Sequence, residues 1–267
     1  MRKEVIGDAE LWLGDCVEVM DSWPECRSFD AIVTSPPYDG MRSYGGHATD
    51  CLAVLDRCAA RISPGGVLMW NVQDQTVDGS ETGTSFRHAL HCLANGLRLH
   101  DTMIYCKEGV TFPNSNRYHP AFEYMFVFSK GAPKHFNGIK DWRNKYAGTP
   151  VHGTRHEVDG SLTRPSRMGE AVPTLGLRRN WWVLSNVPGS DAGGHPAPMP
   201  FRMAADHVMT WTAAGEIVFD PFMGSGTTGA AALRAGRKFV GIEVEQSYFA
   251  IACERIENAQ RQEKLFA

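Results

Sequence analysis

The sequence predicts an α/β fold with a mostly parallel sheet. Short apolar runs alternate with segments of helical spacing, and each run ends in turn or glycine residues, which is typical of parallel strands covered by helices. Hydrophobic residues make up 43% and charged residues 21% of the 267 residues, as in an average globular domain. A chain of this length can bury one sizeable core, so we expect one main domain with an inserted segment.

The first half of the chain predicts one βαβ unit followed by a further helix and a hairpin. Pro36 and Pro37 end the first strand, because proline cannot donate to a ladder. Pro64-Gly65-Gly66 separates the first helix from the next strand. A polar loop between the last two strands predicts an antiparallel pair at one edge of the sheet. The expected elements are a strand at 29–34, a helix at about 49–62, a strand at 67–72, a helix at 84–94, and strands at 97–106 and 121–128.

Periodicity is lost between residues 130 and 200, where Gly, Pro, Arg and Trp dominate. We therefore expect residues 1–130 and 195–267 to form the main domain and residues 131–194 to form a loop-rich insertion. After the insertion, the pattern predicts a helix at 203–211, a strand at 216–219, a glycine loop, a helix to about 235, a strand at 238–244 and a helix from about 246.

Charge is distributed unevenly along a chain whose net charge is −3. Residues 130–182 hold ten Lys and Arg against four Asp and Glu, which leaves 17 of the 27 basic and 26 of the 30 acidic residues for the rest. A basic block in an acidic protein predicts a surface for a polyanion, with a solvated loop of incidental charge as the alternative.

Several classes of protein are disfavoured by composition. No apolar run approaches the roughly 20 residues of a membrane span, and the N-terminus lacks the apolar core of a signal peptide, so we expect a cytoplasmic protein without a membrane partner. The seven cysteines include no Cys-x-x-Cys pair and are expected to be reduced and mostly buried. His88 and His91 have no partnering cysteine or carboxylate cluster, so no metal is expected.

A glycine loop follows the predicted strand at 216–219 and opens the next helix. It reads Asp220-Pro221-Phe222-Met223-Gly224-Ser225-Gly226-Thr227, and Glu243 lies at the end of the following strand. Glycines admit a close ligand, the helix N-terminus offers free N–H groups, and an acid about 20 residues on can bind ribose hydroxyls. A nicotinamide or flavin dehydrogenase and a turn without a ligand are the alternatives.

The dehydrogenase alternative is disfavoured by what surrounds this loop. Only one strand and one helix follow it, and Asp220-Pro221-Phe222 offers nothing to a pyrophosphate. S-adenosylmethionine has no pyrophosphate, so the loop favours this cofactor. Its adenosine would stack near Phe222 with Glu243 on the ribose, and its methionine part would meet the glycine turn and Asp220.

A second loop, Thr34-Ser35-Pro36-Pro37-Tyr38, follows the first strand, where open α/β sheets bind ligands. The Ser35 hydroxyl and the Pro36 carbonyl can accept both N–H bonds of an aromatic amine and favour a pyramidal, nucleophilic nitrogen. Pro37 stiffens the turn, and Tyr38 offers a face to a base. A purely structural proline turn is the alternative. A base inside a duplex cannot reach such a pocket and must be flipped out.

With these two loops in this order, the chain resembles the amino-group DNA methyltransferases in the arrangement called the β class, over nearly its whole length. The resemblance implies a Rossmann-like, S-adenosylmethionine-dependent methyltransferase sheet, mostly parallel with an antiparallel edge hairpin. It also implies a circularly permuted motif order and a loop-rich target-recognition insertion. Leu11–Asp15, 121–130 and 195–200 resemble further family segments, around the adenosine, before the recognition region and at the methionine end of the cofactor.

The resemblance assigns roles to individual residues. The catalytic loop is Ser35, Pro36, Pro37 and Tyr38. The expected cofactor residues are Asp15, Thr34, His195, Pro196, Asp220, Pro221, Phe222, Gly224, Ser225, Gly226, Thr227 and Glu243. The expected DNA contacts are Lys140, Arg143, Lys145, Arg164, Arg167, Arg178 and Arg179, with Trp181 and Trp182 either stacking on bases or packed in the core. The implied partners are double-stranded DNA, a second copy in a homodimer, and a cognate restriction endonuclease or none.

The target base is the least determined of these expectations. Serine before Pro-Pro-Tyr is commoner in the cytosine N4 enzymes and aspartate in the adenine N6 enzymes, so Ser35 favours cytosine N4. Adenine N6 stays open, as does an inactive DNA-binding protein on the same fold. Methylases of RNA guanine or protein glutamine carry the glycine loop first. Cytosine C5 enzymes need a Pro-Cys dipeptide, which the sequence lacks.

Overall fold

A nine-stranded mixed sheet forms the centre of the larger of two units in the protein. The structure, a computed structural model, describes residues 1–37, 49–108, 116–184 and 199–266. Its strands are β1 (Arg2–Ile6), β2 (Ala9–Leu13), β3 (Phe29–Thr34), β4 (Ile62–Val72), β5 (Thr76–Val77), β6 (Ser80–Glu81), β7 (Arg98–Lys107), β8 (Phe122–Ser129), β9 (Trp142–Arg143), β10 (Arg155–His156), β11 (Leu162–Thr163), β12 (Leu175–Gly176), β13 (Trp181–Leu184), β14 (Ile217–Asp220) and β15 (Lys238–Glu243). Its helices are α1 (Cys16–Asp21), α2 (Cys51–Arg61), α3 (Thr84–Ala94), α4 (Phe201–Trp211), α5 (Thr227–Arg234) and α6 (Gln246–Phe266).

The strand order of the large sheet is β1-β2-β15-β14-β3-β4-β8-β7-β13. Five neighbouring pairs are parallel, and the pairs β1–β2, β4–β8 and β7–β8 are antiparallel. From β14 the chain continues through α5 to β15 on one side, and from β3 through α2 to β4 on the other. The boundary between β14 and β3 is therefore a topological switch point, where open α/β sheets bind ligands.

Helices cover both faces of this sheet. Residues of α4, α5 and α6 form one apolar cluster with one face, and residues of α1, α2 and α3 form a second cluster with the other. In α2 the buried side chains Val54, Leu55 and Cys58 recur at helical spacing. Asp50 caps this helix by accepting from the backbone N–H groups of Leu52 at 3.0 Å and the next residue at 3.1 Å.

The α/β fold predicted from the sequence is confirmed, with element boundaries that mostly agree within two residues. The hairpin β7–β8 is antiparallel as expected, and β13 adds a parallel strand outside it. One boundary was wrong, because β4 already begins at Ile62 and continues through Pro64-Gly65-Gly66. The pairing of β3 with β4 shifts register there, and this irregularity accommodates the turn residues.

The smaller unit comprises residues 138–179, and residues 1–137 and 180–267 form the larger one. The smaller unit contains two short antiparallel pairs, β9 with β12 and β10 with β11. Its boundaries are narrower than the insertion of 131–194 expected from the loss of periodicity, since β13 joins the large sheet.

No helix among the described residues is long and apolar enough to cross a membrane. All seven cysteines are free thiols. Burial raises the pKa of Cys16 and of Cys92 to about 12, so these thiols stay protonated and unreactive near neutral pH.

Candidate active site

The two loops singled out in the sequence start at the carboxyl ends of β3 and β14, which are neighbouring parallel strands. We call the loop at residues 34–38 the amine loop. Its residues Ser35, Pro36 and Pro37 follow β3, and the residues of the glycine loop from Pro221 onward follow β14. Although about 185 residues separate the loops along the chain, they lie side by side at the switch point.

A buried hydrogen bond joins the two strands where these loops begin. The Thr34 hydroxyl donates to Asp220 Oδ1 at 2.6 Å, and the same oxygen accepts from the backbone N–H of Phe222 at 3.0 Å. Thr34 is fully buried and Asp220 is 3% exposed. Burial raises the pKa of Asp220 to about 6, against the lowering effect of these hydrogen bonds and of one with Thr228.

The glycine loop has the backbone geometry of a ligand-binding turn. Gly224 and Gly226 adopt left-handed φ values of 51° and 80°. A Cβ on Gly226 would also lie only 3.1 Å from Ala252 of α6, so glycine is required there for both reasons. Helix α5 starts without a side-chain cap, which leaves its first N–H groups to other acceptors.

Glu243, the last residue of β15, holds this loop from the adjacent strand. Its Oε2 accepts from the Gly224 N–H at 2.9 Å, and its Oε1 accepts from the Glu245 N–H at 2.8 Å. Each carboxylate oxygen has a second lone pair that can accept from a ligand hydroxyl. The side chain is partly exposed, and burial raises its pKa to about 7.

The other predicted cofactor residues of the described chain lie near this edge of the sheet or just behind it. Asp15 follows β2, the neighbour of β15, and accepts from two N–H groups at the start of α1. Phe222 is partly exposed and lies edge-on to Trp70, with ring centroids 6.2 Å apart. A partly exposed aromatic ring, a carboxylate with free lone pairs and an uncapped helix start fit a nucleoside with its hydroxyls.

Ser225 and Thr227 are buried, and their side chains face α6. Arg255 Nη1 donates to the Ser225 hydroxyl at 3.1 Å, to its carbonyl at 3.2 Å and to the Thr227 hydroxyl at 2.8 Å. Arg255 therefore fixes the glycine loop from behind. Arg255 was not among the predicted site residues, because a single arginine on a polar helix carries no distinguishing pattern.

Beside the amine loop, the structure contains a polar network that the sequence analysis also missed. Asn71 Nδ2 lies 3.5 Å from Ser35 Oγ and donates to Glu123 Oε2 at 2.5 Å. Lys107 forms an ion pair with the other oxygen of Glu123 at 2.6 Å. The signal in the sequence is a polar residue inside each of two apolar strands, Asn71 in β4 and Glu123 in β8.

Three predicted site residues, Tyr38, His195 and Pro196, lie outside the described residues. Pro36 and Pro221 are buried, and Ser35 and Pro37 are half-buried. The amine loop therefore presents Ser35 at the sheet edge on a stiff, partly covered backbone.

The basic residues predicted to contact DNA belong to the smaller unit. Arg178 is largely buried in an ion pair with Asp141, and Arg167 pairs with Glu170. Arg179 lies over the Trp142 ring, 5.0 Å from its centroid. Lys140, Arg143, Lys145 and Arg164 are exposed, and within the described part of the chain they form no ion pair. These four charges are accessible to a polyanion.

Trp181 and Trp182 differ in their surroundings. Trp182 is packed in the core with its ring stacked on His207, 4.6 Å between centroids, whereas Trp181 is 46% exposed. Of these two side chains, Trp181 is the one accessible from solvent.

Known proteins resemble this chain in sequence over most of its length. The sequence model of the N6/N4 DNA methylase family matches residues 29–254. The orphan methyltransferase M.BamHII of Bacillus amyloliquefaciens is 41% identical over 253 residues, covering 92% of this chain and 91% of the relative. The type II methyltransferase M.SmaI of Serratia marcescens is 27% identical over 297 residues, covering 95% and 90%.

Solved structures share the fold. The crystal structure of an M1.HpyAVI–SAM complex has a TM-score of 0.65 at 23% identity, covering 93% of this chain and 98% of that one. The PvuII DNA methyltransferase, described as cytosine-N4-specific, has a TM-score of 0.69 at 19% identity, covering 97% and 93%. The family match over most of the chain and the 41% identity to a full-length methyltransferase identify the chain as a member of the N4/N6 amino-methyltransferase family of DNA methylases.

Proposed function

We propose that this DNA methyltransferase transfers a methyl group from S-adenosylmethionine to N4 of a flipped cytosine. The observation that carries the proposal is the placement of Ser35 and Pro36 beside the glycine loop, with the Thr34–Asp220 hydrogen bond of 2.6 Å between them. An amine acceptor held at the first loop and a cofactor held at the second would meet at the switch point.

The cofactor supplies an electrophilic methyl group on a sulfonium, and the protein supplies position and hydrogen-bond acceptors. The Ser35 hydroxyl and the Pro36 carbonyl would accept hydrogen bonds from the two N–H groups of the amine, which leaves the nitrogen lone pair free to attack in line. The methyl–sulfur bond would break as the nitrogen–carbon bond forms, and the methylated amine, a strong acid, would release one proton to water. Asn71 Nδ2, 3.5 Å from Ser35 Oγ, favours the acceptor role of that oxygen because it presents a donor to it. Preorganised acceptors of this kind stabilise the positive charge that develops on the nitrogen.

For the cofactor we propose that Glu243 binds the ribose hydroxyls and Phe222 stacks near the adenine. Support comes from the free lone pairs of Glu243 and the partial exposure of both side chains. Asp15 and the first backbone N–H groups of α5, which have no side-chain cap, complete this proposed site. Ser225 and Thr227 would contact the cofactor only through backbone groups, because their hydroxyls bind Arg255.

We propose that the smaller unit contacts DNA through its exposed basic residues. Lys140, Arg143, Lys145 and Arg164 would bind phosphates and so contribute affinity without reading sequence. Arg167 and Arg178 would first have to leave their carboxylate partners, which makes Arg179 the better candidate for a base contact.

The relative from B. amyloliquefaciens is named an orphan, which supports action without a cognate endonuclease. Light scattering would test the homodimer.

The product identifies the base. The protein is incubated with methyl-labelled S-adenosylmethionine and unmethylated genomic DNA, and the digested nucleosides are identified by mass. N4-methylcytosine is expected. N6-methyladenine would show that the target base is adenine and would leave the proposed site unchanged. Ser35→Ala should abolish most of the signal, and Ser63→Ala, which removes a hydroxyl that contacts Ser28, is the matched control. Absence of labelled nucleoside with the parent protein would refute the proposal.

A further inference from the structure

The hydrogen bond between Thr34 and Asp220 lies where the two strands stop pairing through their backbones. The backbone pairs of β3 with β14 are Ala31 with Val218 and Ile32 with Phe219. Beyond them, the Thr34 hydroxyl and the Asp220 carboxylate connect the strands at 2.6 Å, at the first residue of each loop. This contact therefore joins the two strands at the point where the amine loop and the glycine loop leave the sheet.

The same carboxylate also fixes the start of the glycine loop. Asp220 Oδ1 accepts from the Phe222 N–H at 3.0 Å, so one oxygen holds both the hydroxyl of β3 and the first turn of the loop. The Thr228 hydroxyl at the start of α5 lies 3.4 Å from the Val33 carbonyl, which adds a second connection to β3. The buried Asp220 carboxylate therefore holds both the end of β3 and the start of the glycine loop.

Burial decides between a ligand contact and an internal role for this carboxylate. Asp220 is 3% exposed and Thr34 is fully buried, whereas Glu243 at the end of the next strand is partly exposed. A carboxylate enclosed by its own hydrogen bonds has no open side for a cofactor. A charge-assisted hydrogen bond in such a setting is short and directional, so it can hold the ends of β3 and β14 at a fixed distance.

We propose that Thr34 and Asp220 are positioning residues that set the distance between the amine and the methyl donor, and that neither side chain contacts the cofactor. This inference rests on the methyl-transfer function proposed above and deepens it. A reaction between two separately bound partners depends steeply on their separation, and a displacement of about 1 Å can cost about 100-fold in rate.

The test compares two substitutions at position 34 that change the size of the side chain very little. Thr34→Val keeps the branched shape and removes the hydroxyl, and Thr34→Ser keeps the hydroxyl. Thr210→Val is the control, because Thr210 is also buried and its hydroxyl donates to the carbonyl of Asp206 within α4, away from both loops. The readouts are the single-turnover rate at saturating DNA and cofactor, the dissociation constant of S-adenosylmethionine, and the stability to urea.

We expect Thr34→Val to lower the single-turnover rate about 100-fold, with the cofactor dissociation constant within about threefold of the parent. Thr34→Ser should recover the rate to within about tenfold of the parent. Thr210→Val should lose stability without losing rate. A merely structural hydrogen bond would make the two valine variants alike in rate and in stability.

Two results would overturn the proposal. One is a folded Thr34→Val protein that retains the parent rate, and the other is a loss of cofactor affinity as large as the loss of rate. If Thr34→Val does not fold, Asp220→Asn replaces it, because the amide oxygen still accepts but forms a weaker, neutral bond. About a tenfold loss of rate is expected for it, and an unchanged rate would refute the positioning role. Failure of the parent protein to methylate DNA would instead refute the proposed function.

Discussion

Replacing Asp220 by asparagine should change the stability of the protein in a strongly pH-dependent way. The carboxyl is buried, and burial raises its pKa from 3.8 to about 6. The folded protein therefore binds more protons than the unfolded chain between these two values. Its stability contribution is complete below pH 3.8 and is lost as the pH rises through about 6. Asparagine does not titrate, so the variant escapes this loss.

The magnitude follows from the size of the shift. A change of about two pKa units corresponds to about 3 kcal/mol between the low-pH and high-pH limits. About 2 kcal/mol of this falls between pH 4.5 and 7.5, where the protein can be handled. The free energy of unfolding of Asp220→Asn, minus that of the parent, should therefore rise by about 2 kcal/mol across this range. A constant offset from altered hydrogen bonds cancels in the comparison.

Urea denaturation of both proteins at several pH values between these limits measures the difference. Asp21→Asn is the matched control, because a hydrogen bond from Arg57 lowers the pKa of the exposed Asp21 from 3.8. Its contribution is complete above pH 3.8 and is lost only as the pH falls, so its difference curve should be nearly flat. A flat curve for Asp220→Asn would show that the carboxyl titrates normally and is not buried as described.

Three further variants test other parts of the site. Ser35→Ala should lower the single-turnover rate by at least about 100-fold with little change in cofactor affinity, and a parent-like rate would refute its acceptor role. Arg255→Met should weaken cofactor binding about tenfold by releasing the glycine loop, and Arg255→Lys should bind the cofactor with intermediate affinity. A parent-like affinity of Arg255→Met would refute the role of Arg255 in holding the loop. Arg143→Gln should reduce the salt dependence of DNA binding by about one unit of slope, whereas Arg261→Gln on α6 should not.

The sequence predicts most of the fold because local signals and tertiary pairing agree. The helix at 84–94 is observed with the expected bounds, since its apolar spacing and the following Asn95-Gly96 mark both its length and its end. The short strand β13 could not be predicted in this way. Its four residues pair with β7, about 75 positions earlier, and no local pattern specifies that contact.

Some residues of the candidate site could likewise be predicted from the sequence, and others could not. Loops with glycine and proline can be predicted from the sequence, because those residues are needed for particular backbone conformations. The network of Asn71, Glu123 and Lys107 depends on the order of strands in space, as does the contact of Arg255 with the glycine loop. A polar residue inside an apolar strand indicates a buried partner, but the sequence does not identify the partner.

Asp220 and Glu243 show why position along a strand is insufficient to assign a role. Both are carboxylates at the ends of adjacent parallel strands, and both were predicted to contact the cofactor, Glu243 at the ribose and Asp220 at the methionine part. Asp220 is buried and bonded to Thr34 at the end of β3, whereas Glu243 is partly exposed and, among the described residues, its carboxylate accepts from backbone N–H groups. An acid whose partners are all internal can fix a distance, and one with free lone pairs at the surface can bind a ligand. We therefore propose different roles for the two acids: Asp220 sets the distance between the loops, and Glu243 binds the cofactor.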